Sequence, residues 1–267
     1  MSAARHRSLF VPLLGGLTAC TWFALWAWSA SPYGNYLRHG NWFELGPAAF
    51  LCRALPGGEV VVPALIHTLG WVLMTTAMML PTTLPLLDRF RRMTAQRGDG
   101  GALVARVIAG YLGVWTLFGL GAHALDWLVL EAAARQPWLA FHGWVPGAAV
   151  IAGAGLFQFS ALKHRCLEKC RTPLGFIMEH WHGRAPRREA WLLGVHHGAF
   201  CVGCCWALML LMFVVGTGSL GWMLALGSVM AIEKNLPWGR RLSAPLGVLL
   251  LGAAGVTVLV NGTWPGG

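Results

Sequence analysis

Residues 191–215 read WLLGVHHGAFCVGCCWALMLLMFVV, a stretch without a single Lys, Arg, Asp or Glu. The hydrocarbon core of a bilayer is about 30 Å thick and requires about 20 apolar residues of helix to cross it. The stretch is therefore long enough for a transmembrane helix. It also carries histidine, cysteine and methionine side chains, which are ligands of soft and borderline metal ions.

Largely apolar windows of similar length recur along the chain. Strands of a membrane barrel would alternate in polarity, whereas runs such as Val248 to Val260 stay apolar on every face. We therefore predict an all-α, polytopic transmembrane helical bundle that forms a single integral membrane domain over residues 1–267. Its seven spans are predicted at residues 10–30, 61–87, 103–130, 141–162, 191–215, 219–236 and 244–261.

The first window follows Arg5 and Arg7 and so resembles a secretory signal. Its apolar run exceeds the 7 to 15 residues of a signal core. We interpret it as a retained first span, and cleavage after Ala30 is the alternative.

Composition supports a bilayer location and sets the orientation. The chain is 56% hydrophobic and 11% charged, whereas about 25% of residues are charged in soluble domains. With the amino terminus in the cytoplasm, 17 of the 20 Lys and Arg residues lie inside, as the positive-inside rule requires. The carboxyl terminus is then outside. This predicts a multi-pass protein of the bacterial inner (plasma) membrane, and the net charge of +10 does not require nucleic acid as a partner.

Two loops stand out between the predicted spans. Residues 31–60 form an outer loop to which the sequence assigns no role. Residues 163–190 form a basic cytoplasmic loop. Within it, Leu174, Ile177, Met178 and Trp181 follow Pro173 at helical spacing, a pattern typical of a short helix lying in the membrane interface.

The span at 191–215 carries the strongest candidate site. At 3.6 residues per turn, one broad helix face presents His197, Cys201, Cys204, Cys205 and Met212. Imidazole, thiolate and thioether groups together favour copper(I), with zinc as the alternative metal. The alternative interpretation is packing, because cysteine and methionine also fill helix interfaces. Seven cysteines, an odd number, do not form a disulfide framework in so apolar a chain.

Three further sets of residues extend this candidate metal site. On the second span, Met78 continues a line with His67, Trp71 and Met74, and Met79 lies beside this line. Such a line is more often a packing stripe than a path of metal ligands. Glu233 is predicted at the level of His197, as a ligand, an orienting partner or a proton acceptor, or else paired with a basic residue. Cys166 and Cys170, four residues apart, could take up a metal from the cytoplasm.

Several of these motifs occur in the same order in a known family. The chain resembles an uncharacterised bacterial and archaeal family described as predicted metal-binding integral membrane proteins, over about residues 60–255. The resemblance implies a membrane location and a metal site, without a reaction. It is carried by Thr76 to Pro81, Leu162, Lys163, Cys166, Cys170, Arg171, Pro173 to Phe176, His197, Gly198, Cys201, Gly203 to Trp206, Leu208, Met209, Met212, Phe213, Trp222, Met223, Glu233, Lys234 and Pro237.

The leading hypothesis is soft-metal handling, meaning transport or delivery. The lipid bilayer and a metallochaperone or membrane complex are the expected partners. One alternative is a membrane thiol-disulfide oxidoreductase, because Cys201 and Cys204 form a C-x-x-C pair. A second alternative is a membrane subunit or assembly factor of a larger complex. Serine-triad, phosphate-loop and zinc-protease motifs are not visible, which favours a non-enzymatic role.

Overall fold

The computed structural model describes residues 2–31, 58–136, 138, 142–215 and 219–262. Every regular element in these residues is a helix, which confirms the all-helical prediction. Most of the predicted outer loop, residues 32–57, lies outside the described residues, so that prediction stays untested. The elements in chain order are α1 (Ser2–Ala30), α2 (Gly58–Met78), a 3-10 helix (Pro81–Thr83), α3 (Leu84–Met93), α4 (Gly100–Arg135), α5 (Trp144–Phe157), α6 (Ala161–Arg171), α7 (Pro173–His180), α8 (Pro186–Val215), α9 (Leu220–Asn235), a second 3-10 helix (Gly239–Leu242) and α10 (Ser243–Gly262).

Five stretches of the described chain are helical, long and apolar enough to cross a membrane. They are Pro12–Ala30, Val61–Met78, Gly100–Val129, Pro186–Val214 and Gly239–Gly262. A sixth arises if α5 and α6, which meet at a bend of 64°, count as one broken span. The remaining window of the seven corresponds to α9, which has 16 residues and is about 24 Å long.

The bend between α5 and α6 replaces the straight helix expected over residues 141–162. Ser160 has extended backbone angles, and its side chain accepts a hydrogen bond from the backbone N–H of Lys163 at 3.1 Å. This is an N-cap, so α6 starts anew after the turn. The segment expected as a basic loop is thus largely helical, and the short helix predicted after Pro173 is present as α7.

Helix α8 lies at the centre of the bundle. It is the most buried of the membrane-length helices and packs against α4, α5 and α6. Glycines allow its close approach to α4: a methyl group added at Gly194 would collide with the backbone carbonyl of Val107, and one added at Gly110 with that of Trp191. On the outside of the bundle, α1 packs on α2 and α10 packs on α5.

Replacing Gly194 by alanine should separate α4 from α8. The new Cβ meets a backbone carbonyl that cannot rotate away, so we expect a loss of about 1–3 kcal/mol, typical of overpacking. The measurement is the midpoint of thermal unfolding in detergent. Gly121→Ala on α4 is the matched control, because nothing lies within 4 Å of its added Cβ. Equal midpoints for the two variants would contradict the close packing.

Candidate metal centre

Three thiols of α8 form the centre of a buried sulfur cluster. Cys201, Cys204 and Cys205 are 0%, 2% and 1% exposed. The Sγ atoms of Cys204 and Cys205 both donate to the backbone carbonyl of Cys201, at 3.1 and 2.9 Å. The three side chains therefore stay on one side of the helix, as its periodicity predicted.

The break after α2 adds a thioether to this cluster. Helix α2 ends at Met78, and two residues separate it from the 3-10 helix that begins with Pro81. In the intervening turn Met79 is fully buried, and its Sδ lies 4.0 Å from the Sγ of Cys205. The Met78 side chain packs instead against Gly227 of α9. Of the two candidate methionines, Met79 is therefore the one at the thiols.

Helix α6 brings two more thiols to the same place. The Sγ of Cys166 lies against Gly203, where any side chain would collide with it. The Cys170 side chain packs against the buried core cluster that includes Cys201 and Cys204. The pair expected to form a separate cytoplasmic site therefore adjoins the buried cluster. All six described cysteines, including Cys201 and Cys204, are free thiols.

An amino group lies among these sulfur atoms. The Nζ of Lys234, near the end of α9, donates to the Sγ of Cys201 at 2.9 Å and to the hydroxyl of Thr82 at 3.3 Å. It is 3.9 Å from both the Sγ of Cys205 and the Sδ of Met79. A buried thiolate needs a positive partner, and Lys234 is placed to be the partner of Cys201. Sequence reasoning named Lys234 in the family resemblance but not as a site residue, although its position in a predicted span was a signal.

Tyr111 is a second residue that sequence reasoning missed. Its hydroxyl is 3.0 Å from the Sγ of Cys201, and it donates to the carbonyl of Met79 at 3.4 Å. The tyrosine, fully buried on α4, thus connects the thiol helix with the turn after α2. A lone tyrosine in an apolar helix carries no signal in sequence, because its role depends on which helix it faces.

Glu233 belongs to a different polar cluster. Its carboxylate accepts from the Nζ of Lys163 at 2.7 and 2.9 Å and from the hydroxyl of Ser243 at 2.6 Å. Lys163 also donates to the side-chain carbonyl of Gln158. Of the roles considered from sequence, the structure places Glu233 in a pair with a basic residue, and that residue is Lys163. The pair is buried, with exposures of 0% for Lys163 and 2% for Glu233.

His197 and Met212 occupy the two ends of the predicted stripe. The His197 ring is buried, with its centroid 5.8 Å from Tyr111 and 5.5 Å from Phe176. Within the described part of the chain its Nδ1 atom has no hydrogen-bond partner. Met212 is fully buried, but it lies about three turns beyond Cys201, roughly 16 Å along the axis. Met212 is therefore in the core and not beside the thiols.

The donors match a soft metal without forming a finished site. Among the described residues, no group of three or more His, Cys, Asp or Glu side chains is arranged to hold a metal ion. Thiols and thioethers are the ligands that copper(I) prefers, and here they surround an amino group. The arrangement can accept a soft ion only if the sulfur atoms and the amino group rearrange.

One comparison with known families gave a match. A family model described as PpoB2, copper chaperone, matches residues 68–257, more than two-thirds of the chain. The chain belongs to this copper-chaperone family. Membership confirms the copper-related part of the sequence prediction, and the matched region contains all the candidate sulfur donors considered above. Comparisons with curated proteins and with solved structures gave no match.

Breaking the buried ion pair should destabilise the protein strongly. In Lys163→Met the Glu233 carboxylate keeps its hydrogen bond from Ser243 but loses the only cation that pairs with it among the described residues. Removing one partner of a buried pair costs about 3–5 kcal/mol, which thermal unfolding in detergent would detect.

Two variants control for this effect. Lys169→Met removes a half-exposed lysine that pairs with Glu179 at 2.7 Å, and stability should change little. The double variant Lys163→Met/Glu233→Gln should regain part of the lost stability, because no unpaired charge stays buried. A double variant less stable than Lys163→Met would show that the charge pair is not the cause.

Proposed function

We propose that this protein is a polytopic inner-membrane copper chaperone that holds copper(I) in the sulfur cluster of α6, α8 and Met79 and passes it on. The observation that carries the proposal is the convergence of five buried or half-buried thiols and one thioether in a chain of the copper-chaperone family. Copper is the cargo of the site. Zinc is the alternative ion for the same thiols.

The membrane location is supported by the helices and the charges together. Five or six of the described helical stretches have the length and composition of spans. We place the amino terminus in the cytoplasm, because this puts most basic residues inside. The basic helix α6, the end of α9 and the start of α10 then lie at the cytoplasmic side, and the sulfur cluster lies within the inner half of the bundle.

The order of exposure suggests a route for the ion. Cys170 is half-buried, whereas Cys201 is fully buried. Cys170 packs against the buried core cluster to which Cys201 belongs. An ion captured by Cys170 can therefore exchange onto Cys201 by replacing one thiol ligand with the next, without leaving sulfur coordination. A cytoplasmic metallochaperone or a membrane complex would be the exchange partner at this entrance.

Copper content tests the site directly. Purified protein should contain about one copper ion or more per chain by elemental analysis, and the triple variant Cys201→Ser/Cys204→Ser/Cys205→Ser should lose it, because hydroxyl groups are poor ligands for copper(I). Cys20→Ser is the matched control, since Cys20 is an exposed thiol on α1. Unchanged copper in the triple variant would refute the proposed site.

Loading kinetics test the route. In Cys170→Ser the entrance thiol is removed while the three α8 thiols remain, so copper(I) uptake should slow several-fold at an unchanged final content. Stopped-flow transfer from a coloured copper(I) chelator measures the rate. The uptake rate of Cys170→Ser is compared with that of Cys166→Ser, which changes another thiol of the same helix. Equal rates for Cys170→Ser and the wild type would refute the entrance role of Cys170.

A further inference from the structure

The end of α9 is held so that Lys234 enters the sulfur cluster. Arg171 of α6 donates to the backbone carbonyls of Glu233 and of Pro237, the latter at 2.9 Å. Gly239 packs against the carbonyl of Ile232 so closely that a Cβ would not fit. The side chain of Lys234 is 6% exposed, so its amino group cannot simply point to solvent.

The amino group adjoins the place where an incoming ion would be bound. An ammonium has three N–H donors and no acceptor, and these are directed at the Sγ of Cys201 and the hydroxyl of Thr82, with Cys205 and Met79 at 3.9 Å. A metal ion coordinated by Cys201 and Cys205 would therefore lie beside this positive charge.

No carboxylate among the described residues is positioned to neutralise that charge. The neighbouring carboxylate, Glu233, is engaged by Lys163 and Ser243 on another side of α9. The groups that face Lys234 are thiols, a thioether, a threonine hydroxyl and, through Cys201, the Tyr111 hydroxyl. The cluster thus combines soft donors with a fixed cation.

A fixed cation discriminates between ions by their charge. Its repulsion of a nearby ion is proportional to that ion's charge, so a divalent ion is repelled twice as strongly as a monovalent one. Zinc also normally takes four ligands in tetrahedral geometry, drawn from Cys, His, Asp and Glu, whereas copper(I) also accepts a thioether such as that of Met79. Both effects favour the binding of copper(I) over that of zinc.

We propose that Lys234 is the residue that makes this sulfur site select a monovalent soft ion, copper(I), against zinc. The proposal rests on the copper site proposed above. During loading, copper(I) leaves a thiolate of its donor and forms bonds to the Cys201 and Cys205 sulfur atoms, the Cys205 thiol proton passes to the released donor thiolate, the N–H contact of Lys234 to Cys201 breaks, and the ammonium stays beside the loaded site. No electron is transferred in this exchange.

The experiment compares the binding of two ions to the full-length protein in detergent. Silver(I) serves as the monovalent probe, because it is an air-stable d10 ion with the ligand preference of copper(I), and zinc(II) is the divalent probe. The readout is the ratio of the zinc affinity to the silver affinity, measured by competition with metal chelators. A purely structural role of Lys234 would weaken the binding of both ions without raising this ratio.

In Lys234→Leu the cation is removed without adding a ligand, so the ratio of zinc to silver affinity should rise at least tenfold. Lys234→Gln, which retains a hydrogen-bonding group for Thr82, should show the same change and serves if the leucine variant does not fold. Lys234→Arg keeps the charge and should keep the wild-type ratio. Lys169→Leu removes an exposed lysine and should also leave the ratio unchanged.

The outcomes separate the two proposals. In one outcome, the wild-type protein binds silver(I) and copper(I), but the ratio of zinc to silver affinity is unchanged in Lys234→Leu and Lys234→Gln. This result overturns the selectivity role of Lys234 and leaves the copper site standing. A wild-type protein that binds zinc as tightly as silver overturns it as well, without any variant. A folded wild-type protein that binds neither silver nor copper overturns the proposed function itself.

Discussion

The buried salt bridge between Lys163 and Glu233 joins the segments around the thiol cluster. Two charges removed from water are stable together only when their remaining hydrogen-bonding capacity is satisfied, and here Gln158 and Ser243 contribute to that. The end of α5, the start of α6, the end of α9 and the start of α10 therefore meet at one point. Because Cys170 follows Lys163 by about two turns of α6, the same anchor directs this thiol toward α8.

The same salt bridge determines what Lys234 can do. Successive residues of a helix point about 100° apart, so Glu233 and Lys234 face different neighbours. Because the Glu233 carboxylate pairs with Lys163, Lys234 makes its hydrogen bonds to the Cys201 sulfur atom and to Thr82 instead. Glu233 and Lys234 are adjacent in sequence, a pattern typical of a local surface ion pair. In the structure, Glu233 belongs to a structural site and Lys234 to a candidate metal site.

The sequence predicts the helices and the thiol face well, because both depend on local periodicity. An apolar run such as 191–215 can satisfy its backbone groups in a bilayer only as a helix, and the positions of Cys201 and Cys205 on that helix follow from its pitch. Periodicity cannot tell where a helix bends. The turn at Ser160, which separates α5 from α6 by 64°, depends on a capping side chain and on the buried partners of Lys163.

By itself, the sequence determined the all-helical class and which soft donor side chains share one face of the helix over 191–215, and its charge pattern predicts the orientation. These features depend on composition and on spacing along one helix. Only the tertiary structure decided that Met79 and not Met78 adjoins the thiols, that Glu233 pairs with Lys163, and that Lys234 lies among the sulfur atoms. Each of these contacts joins different segments of the chain. Their geometry depends on how closely the helices pack, and a single helix pattern does not contain that information.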